Sequence, residues 1–181
     1  MNSGEANAGA KLFKRALALT ASKKPNYAKA FPLLVAAERL GHAEATYALA
    51  TWYLFGRHVA PSSSKALALL NRAVRRGSAD AAFDLAIAFE QGRIIERNER
   101  KAFQLYLTAA IRHRQPLTYP AMYSFREAAY EVSRCYFHGI GIAADRKAGM
   151  IWKIEGKAIR SPKTEIQPAM ATLGSPRRSP R

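Results

Sequence analysis

The chain has one cysteine in 181 residues, Cys135, so no disulfide can form within it. That usage fits a reducing compartment, and the expected location is cytoplasmic. With one thiol and four scattered histidines there is no zinc-ligand spacing, and neither a metal nor a cofactor is expected. No run approaches the roughly 18 consecutive apolar residues of a membrane span. The stretch "MNSGEANAGAKLFKRALALT" lacks the apolar core and small-residue cleavage site of a secretory signal. Lys11, Lys14 and Arg15 have the basic character of a mitochondrial transit peptide, but Glu5 and the lack of serine enrichment argue against one. Acids are scarce as well: 13 Asp and Glu stand against 29 Lys and Arg, a net charge of +16. Residues 1–26 and 160–181 each hold five bases and one acid, so half of the excess sits in two short ends. Such charge attracts polyanions without specifying one.

What the chain does have is self-similarity. "GHAEATYALATWYLFG", from Gly41, matches "GSADAAFDLAIAFEQG", from Gly77, at an offset of 36 residues without a gap. Ala45/Ala81, Tyr47/Phe83, Leu49/Leu85, Ala50/Ala86 and Tyr53/Phe89 agree in kind. The pairs Lys29-Ala30, Lys65-Ala66 and Lys101-Ala102 keep the same spacing. A third copy lies 47 residues beyond the second, with Ala128, Tyr130, Val132, Ser133, Tyr136 and Gly139, followed by Lys147-Ala148. About eleven extra residues therefore separate copies two and three. They fall around 112–123, where Pro116 and Pro120 predict a loop. Within each copy, apolar residues at helical spacing predict two helices. Ser62–Ser64 and Asn98 stand where second helices need an N-cap. Gly41 and Gly77 stand where helices need a left-handed C-cap.

These residues resemble the Sel1-like repeat, a relative of the tetratricopeptide repeat. The third copy carries the pattern best: Ala128, Val132, Ser133, Tyr136, Gly139, Gly141, Ile142, Asp145, Lys147, Ala148 and Trp152. It is one residue short between Asp145 and Lys147. The first copy keeps Gly56 and the second Gly92, each without the second glycine and the aspartate. The resemblance covers about 27–159. It implies an all-α, right-handed α-solenoid of about three to four antiparallel helix pairs. Residues 1–26 form a basic N-terminal segment in which 7–20 reads as a degenerate first helix. Residues 160–181 lack helical periodicity and are expected to be a disordered basic tail.

Gly139 and Gly141 precede a helix with a lysine in its first turn, which raises the question of a phosphate loop. A dinucleotide fingerprint needs a strand before the glycines, and here a helix precedes them. Ala144 stands at the third-glycine position, and "ADRKA" lacks the Gly-Lys-Ser/Thr of a P-loop. The equivalent Gly56 and Gly92 sit at helix–helix turns, so all four glycines read as structural. No nucleophile, base and orienting group share a spacing, and Cys135 shares its repeat position with Trp52 and Ala88. No enzymatic activity is expected.

By the resemblance, the first helix of each pair lines a concave face. Its outward residues are Glu44, Tyr47, Thr51 and Phe55; then Asp80, Phe83, Ile87 and Gln91; then Glu127, Tyr130, Arg134 and His138. One column is acidic and one aromatic, which suits a basic or amphipathic peptide. Acids in a first turn also complement the helix dipole, and the aromatic column reads more readily as packing between helices. The expected function is a non-enzymatic adaptor for a protein or peptide segment. The alternative is nucleic-acid association through Arg75, Arg76, Arg112 and Arg114 at helix ends and Arg177, Arg178 and Arg181 in the tail.

Overall fold

Polar residues placed just before apolar stretches start the helices of this chain, and glycines end several of them. The computed structural model describes residues 3–113 and 119–158. It contains α1 (Ser3–Thr20), α2 (Tyr27–Arg39), α3 (Ala43–Phe55), α4 (Ser63–Arg75), α5 (Ala79–Gln91), α6 (Glu99–His113), α7 (Tyr119–His138) and α8 (Arg146–Ala158). Among the described residues there is no strand. The described chain divides into two compact units, 3–72 and 73–158, and the division falls within α4.

The caps are local chemistry. The His42 ring nitrogen accepts from the Ala45 amide at 3.2 Å, and the Ser78 hydroxyl accepts from the Ala81 amide at 3.2 Å. Asn98 accepts from the Lys101 amide at 2.9 Å, and Asp145 accepts from the amides of Lys147 and Ala148. Each bond satisfies an amide that the first helical turn leaves without a partner. Lys65 lies over the Tyr53 ring and Lys101 over the Phe89 ring, at 5.2 and 5.3 Å from their centroids. In the first two copies the Lys of the recurring Lys-Ala therefore makes a cation–π contact back to the preceding helix.

In the first unit, Ala16 of α1 meets Ala30, Leu34 and Ala37 of α2 and Ala45, Leu49 and Trp52 of α3. Trp52 is fully buried and packs against Tyr27 and Phe31. In the second unit, α5, α6 and α7 meet through Ala82, Ala86, Phe103, Tyr106, Ala128, Val132 and Cys135. Of the segment expected as a loop over 112–123, residues 114–118 lie outside the described residues and the rest is helical. Residue 113 ends α6 and residue 119 begins α7, which runs 20 residues against 13 in α3 and α5. Part of the insertion extends α7 at its N-terminus, where the first helical turn tolerates Pro120 because its amide has no helical partner to lose.

Gly139 and Gly141 take left-handed φ values of 68° and 71° in the turn between α7 and α8. Gly141 also lies against the backbone of Glu99 at the start of α6, and a Cβ there would collide with that carbonyl. Gly141→Ala should therefore destabilise the second unit by about 1–3 kcal/mol from the backbone conformation alone, with the collision adding to it. Gly4, with nothing near its missing Cβ, is the control: Gly4→Ala should be neutral or slightly stabilising. Thermal unfolding of the two variants checks the pair.

His42 adds a pH dependence. Burial lowers its pKa below the ordinary histidine value of 6.5. The neutral ring is the form that can accept the Ala45 amide, and it lies 4.7 Å from the Phe13 ring. A depressed histidine gives stability that is present above the unfolded pKa and is lost as pH falls through the folded value. The thermal midpoint should fall as pH is lowered from 7.5 to 5. In His42→Ser, which keeps a cap, that fall should be smaller. An unchanged slope in the variant would exclude His42 as its source.

Candidate functional site

The first helices of the repeats differ in charge from the second helices. α5 carries Asp80, Asp84 and Glu90 and no Lys or Arg, whereas α4 carries Lys65, Arg72 and Arg75 and no acid. In a chain of +16 this contrast is large, but the three acids of α5 are half-buried and Glu90 is paired with Arg134 of α7.

Within the second unit, α5 and α7 are joined by one polar cluster. The Arg134 guanidinium of α7 donates to Glu90 of α5 at 2.5 Å and to Glu131 at 2.7 Å. The Tyr106 hydroxyl of α6 donates to the other Glu90 oxygen at 2.7 Å. Three helices are thereby tied at one carboxylate. Burial works against the Arg134 charge, but its bonds to Glu131 and Glu90 outweigh burial and hold its pKa above the ordinary arginine value. Burial, and then the Glu90 carboxylate, push the Tyr106 phenol above its usual value, so it remains a donor. Beside this cluster, burial pushes the Cys135 thiol up to about 11, which keeps it protonated at neutral pH.

The expected contact residues separate on this frame. Tyr130 is 60% exposed, and Glu127, His138 and Gln91 are exposed. Glu127 and Arg134 lie three before and four after Tyr130, on the same face of α7. Asp80 is half-buried. Phe83 packs on Tyr106 with ring centroids 5.5 Å apart, and Ile87 packs against the same core. The aromatic column is therefore not uniform: Phe83 serves packing, and Tyr130 stands in solvent. In the first unit, Phe55 is 43% exposed, and Glu44 and Tyr47 are half-buried. Thr51 is a correction. It is 1% exposed, and its hydroxyl donates to the Ala48 carbonyl at 2.8 Å. It belongs to the core, because its helical position turns inward and its hydroxyl is satisfied within its own helix.

The arginines expected to take a polyanion also divide. Arg112 donates to the Val74 carbonyl at 2.7 Å and so ties the end of α4 to α6. Arg75 is exposed and Arg76 half-buried. Arg114, Arg177, Arg178 and Arg181 lie outside the described residues. Gly56 and Gly92 end α3 and α5 with φ of 66° each. With Gly139 and Gly141 they are turn residues. Among the described residues, no group of three or more His, Cys, Asp or Glu could hold a metal ion, and no helix is long and apolar enough to cross a membrane.

Two members of the polar cluster escape a reading of the sequence. Glu131 is three residues before Arg134, a spacing that can be seen in the chain. Glu90 meets Arg134 only when successive copies pack, and Tyr106 meets Glu90 only when the two helices of its own copy pack.

Helix pairs that recur in sequence, each joined by a turn with a left-handed glycine, define an α-solenoid repeat protein. The Sel1 repeat model matches residues 43–78, 79–112 and 126–152, and the chain belongs to that family. Sel1 repeats are in general modules of protein–protein interaction. The chain is similar to the crystal structure of a Sel1 repeat protein from Oxalobacter formigenes. The TM-score is 0.61 and the identity 26%, over 69% of this chain and 86% of that one. It is also similar to c5321, a protective antigen present in uropathogenic Escherichia coli strains that displays an SLR fold. There the TM-score is 0.43 and the identity 16%, over 94% of this chain and 45% of that one. No curated protein matches the chain.

Replacing Arg134 by Leu leaves Glu90 and Glu131 without their cation in a half-buried setting. The expected cost is about 1–3 kcal/mol. Adding Glu90→Gln should cost less than the sum of the two single changes, because the groups share one cluster. Urea unfolding of the single and double variants measures both.

Proposed function

We propose that the protein is a non-enzymatic adaptor that binds a basic or amphipathic protein segment on its first helices. In the second unit the contact surface is the α5–α7 face: Asp80 and Gln91 of α5, and Glu127, Tyr130, Arg134 and His138 of α7. In the first unit the corresponding surface of α3 presents Glu44, Tyr47 and Phe55. The observation that carries the reading is Tyr130. Its counterpart Phe83 is used in packing, whereas Tyr130 is 60% exposed. An exposed aromatic beside an exposed acid, on a helix fixed by the Arg134 cluster, is a preorganised anchor for a partner side chain. The exposed Glu127 beside Tyr130 favours a basic partner over an acidic one. A cytoplasmic setting agrees with the single, buried cysteine.

The polyanion reading has less support, since Arg112 is engaged with Val74. The two readings separate by experiment. Proteins crosslinked to the full chain in its native cell should be lost from the double variant Tyr130→Ser, Glu127→Lys, and retained by Arg177→Gln, Arg178→Gln, Arg181→Gln. Nucleic acid captured in a salt-sensitive way, and lost on the arginine changes instead, would transfer the function to the tail. Partners retained by both variants would overturn the site.

A further inference from the structure

α8 presents an outward face that α6 does not have. Met150, Ile151 and Ile154 are 49%, 50% and 59% exposed. The repeat register separates two causes. Ile151 stands in the column of Leu105, which packs against the core of the second unit. Its exposure follows from α8 being the last described helix. Met150 and Ile154 stand in the columns of Gln104 and Thr108. Gln104 is exposed, and the Thr108 hydroxyl donates to the Gln104 carbonyl at 2.7 Å. Those columns are polar in α6, so the end of the stack does not account for two apolar residues there.

The charge around this apolar ridge has one sign. Arg146, Lys147, Lys153 and Lys157 of α8 are all exposed, and Lys153 lies 6.0 Å from the centroid of the Phe137 ring. The acids close by are fewer and less available. Asp145 accepts from the amides of Lys147 and Ala148, and Glu155 is half-buried. The other side of α8 is fixed against α7. A Cβ on Gly149 would lie 3.2 Å from the Phe137 ring, and one on Gly156 3.3 Å from the Ala129 Cβ. The Ser133 hydroxyl donates to the Gly149 carbonyl at 2.8 Å. Contacts this close set which side of α8 faces out.

The chemistry selects among occupants. A second copy would bring the same four cations against these. A protein partner is usually held by aromatic or arginine anchors seated in pockets, whereas the exposed apolar residues of this helix are three flexible aliphatic side chains. An anionic bilayer needs no pocket. Aliphatic side chains enter the headgroup boundary while lysines extend their charges to the lipid phosphates.

We propose that the α8 face docks on an anionic lipid surface, with Met150, Ile151 and Ile154 entering the interface and Lys147 and Lys157 meeting phosphates. Arg146 and Lys153 add attraction at its flank. The proposal does not rest on the protein-binding reading of the α5–α7 face.

The test uses the full chain and vesicles of phosphatidylcholine with or without phosphatidylglycerol. Co-sedimentation should require phosphatidylglycerol. It should fall about tenfold in the double variant Met150→Ser, Ile154→Ser, which removes apolar area and leaves every charge in place. Insertion is read directly by a label. Cys135 is buried, so Met150→Cys supplies an accessible thiol for a polarity-sensitive fluorophore. Its emission should shift to the blue with phosphatidylglycerol vesicles and be quenched by brominated acyl chains. The same label at Glu127→Cys, on the exposed face of α7, should show neither effect. Vesicle binding that the double variant leaves unchanged would be attraction by the charge of the chain at large, and would overturn the proposal. So would an equal response at the two labels, or none at position 150. Self-association without vesicles, abolished in the double variant, would overturn it by assigning the face to a second copy.

Discussion

Close approach of helices through alanine is the constraint on which this structure depends. Most of the buried apolar side chains are alanines, and larger ones such as Trp52, Tyr106 and Phe125 are few. Alanine holds a helix without loss of side-chain entropy and lets two backbones come near each other. It contributes little apolar area per residue, so each contact adds little by burial. The stack must therefore be stabilised by many small contacts repeated in register, and anything that sets the register matters more than any single side chain. Gly141 is the extreme case: a helix–helix turn is pressed against the start of α6 so closely that no Cβ fits.

Polar side chains take on the work that small side chains cannot do. Glu90 accepts from Tyr106 and Arg134 and so joins α5, α6 and α7 at one point. In the first unit Glu38 of α2 accepts from Arg72 of α4 at 2.8 Å. Arg112 reaches back from α6 to the Val74 carbonyl. Each bond crosses between helices and involves a long side chain, and those of Arg134, Arg112 and Arg72 span 44, 38 and 34 residues of sequence. Long polar links over short apolar contacts give a frame in which helix positions are fixed while the outer faces stay free for other uses.

Much of this was legible in the sequence, because the legible parts are local. The 36-residue spacing shows as direct repetition along the chain, and the caps at Asn98 and Ser62 and the positive-φ glycines depend on neighbours within a few residues. The packing of Phe83 followed from the habit of the aromatic column. The rest depends on neighbours that only folding supplies. The resemblance places Thr51 outward, yet it is buried with its hydroxyl satisfied by the Ala48 carbonyl. A hydroxyl that can bond within its own helix gives no sequence signal that it points inward. The prolines around 116–120 signalled a loop, but proline is compatible with a helix start, and α7 begins there. The Arg134 cluster was invisible as a cluster, because Glu90 and Arg134 are 44 residues apart and match no repeat offset.

Glu90 and Arg134 are not equivalent positions of adjacent copies: the column of Glu90 continues at Phe137, one turn beyond Arg134. Arg134 therefore reaches across from α7 to α5 about one turn away from the residue that shares the column of Glu90. Phe83 packs on Tyr106 of its own helix pair, whereas Tyr130, one turn before Arg134, is 60% exposed. On the proposed reading, a change at Glu90 or Arg134 that loosens the contact of α5 with α7 would also disturb the helix that carries Tyr130.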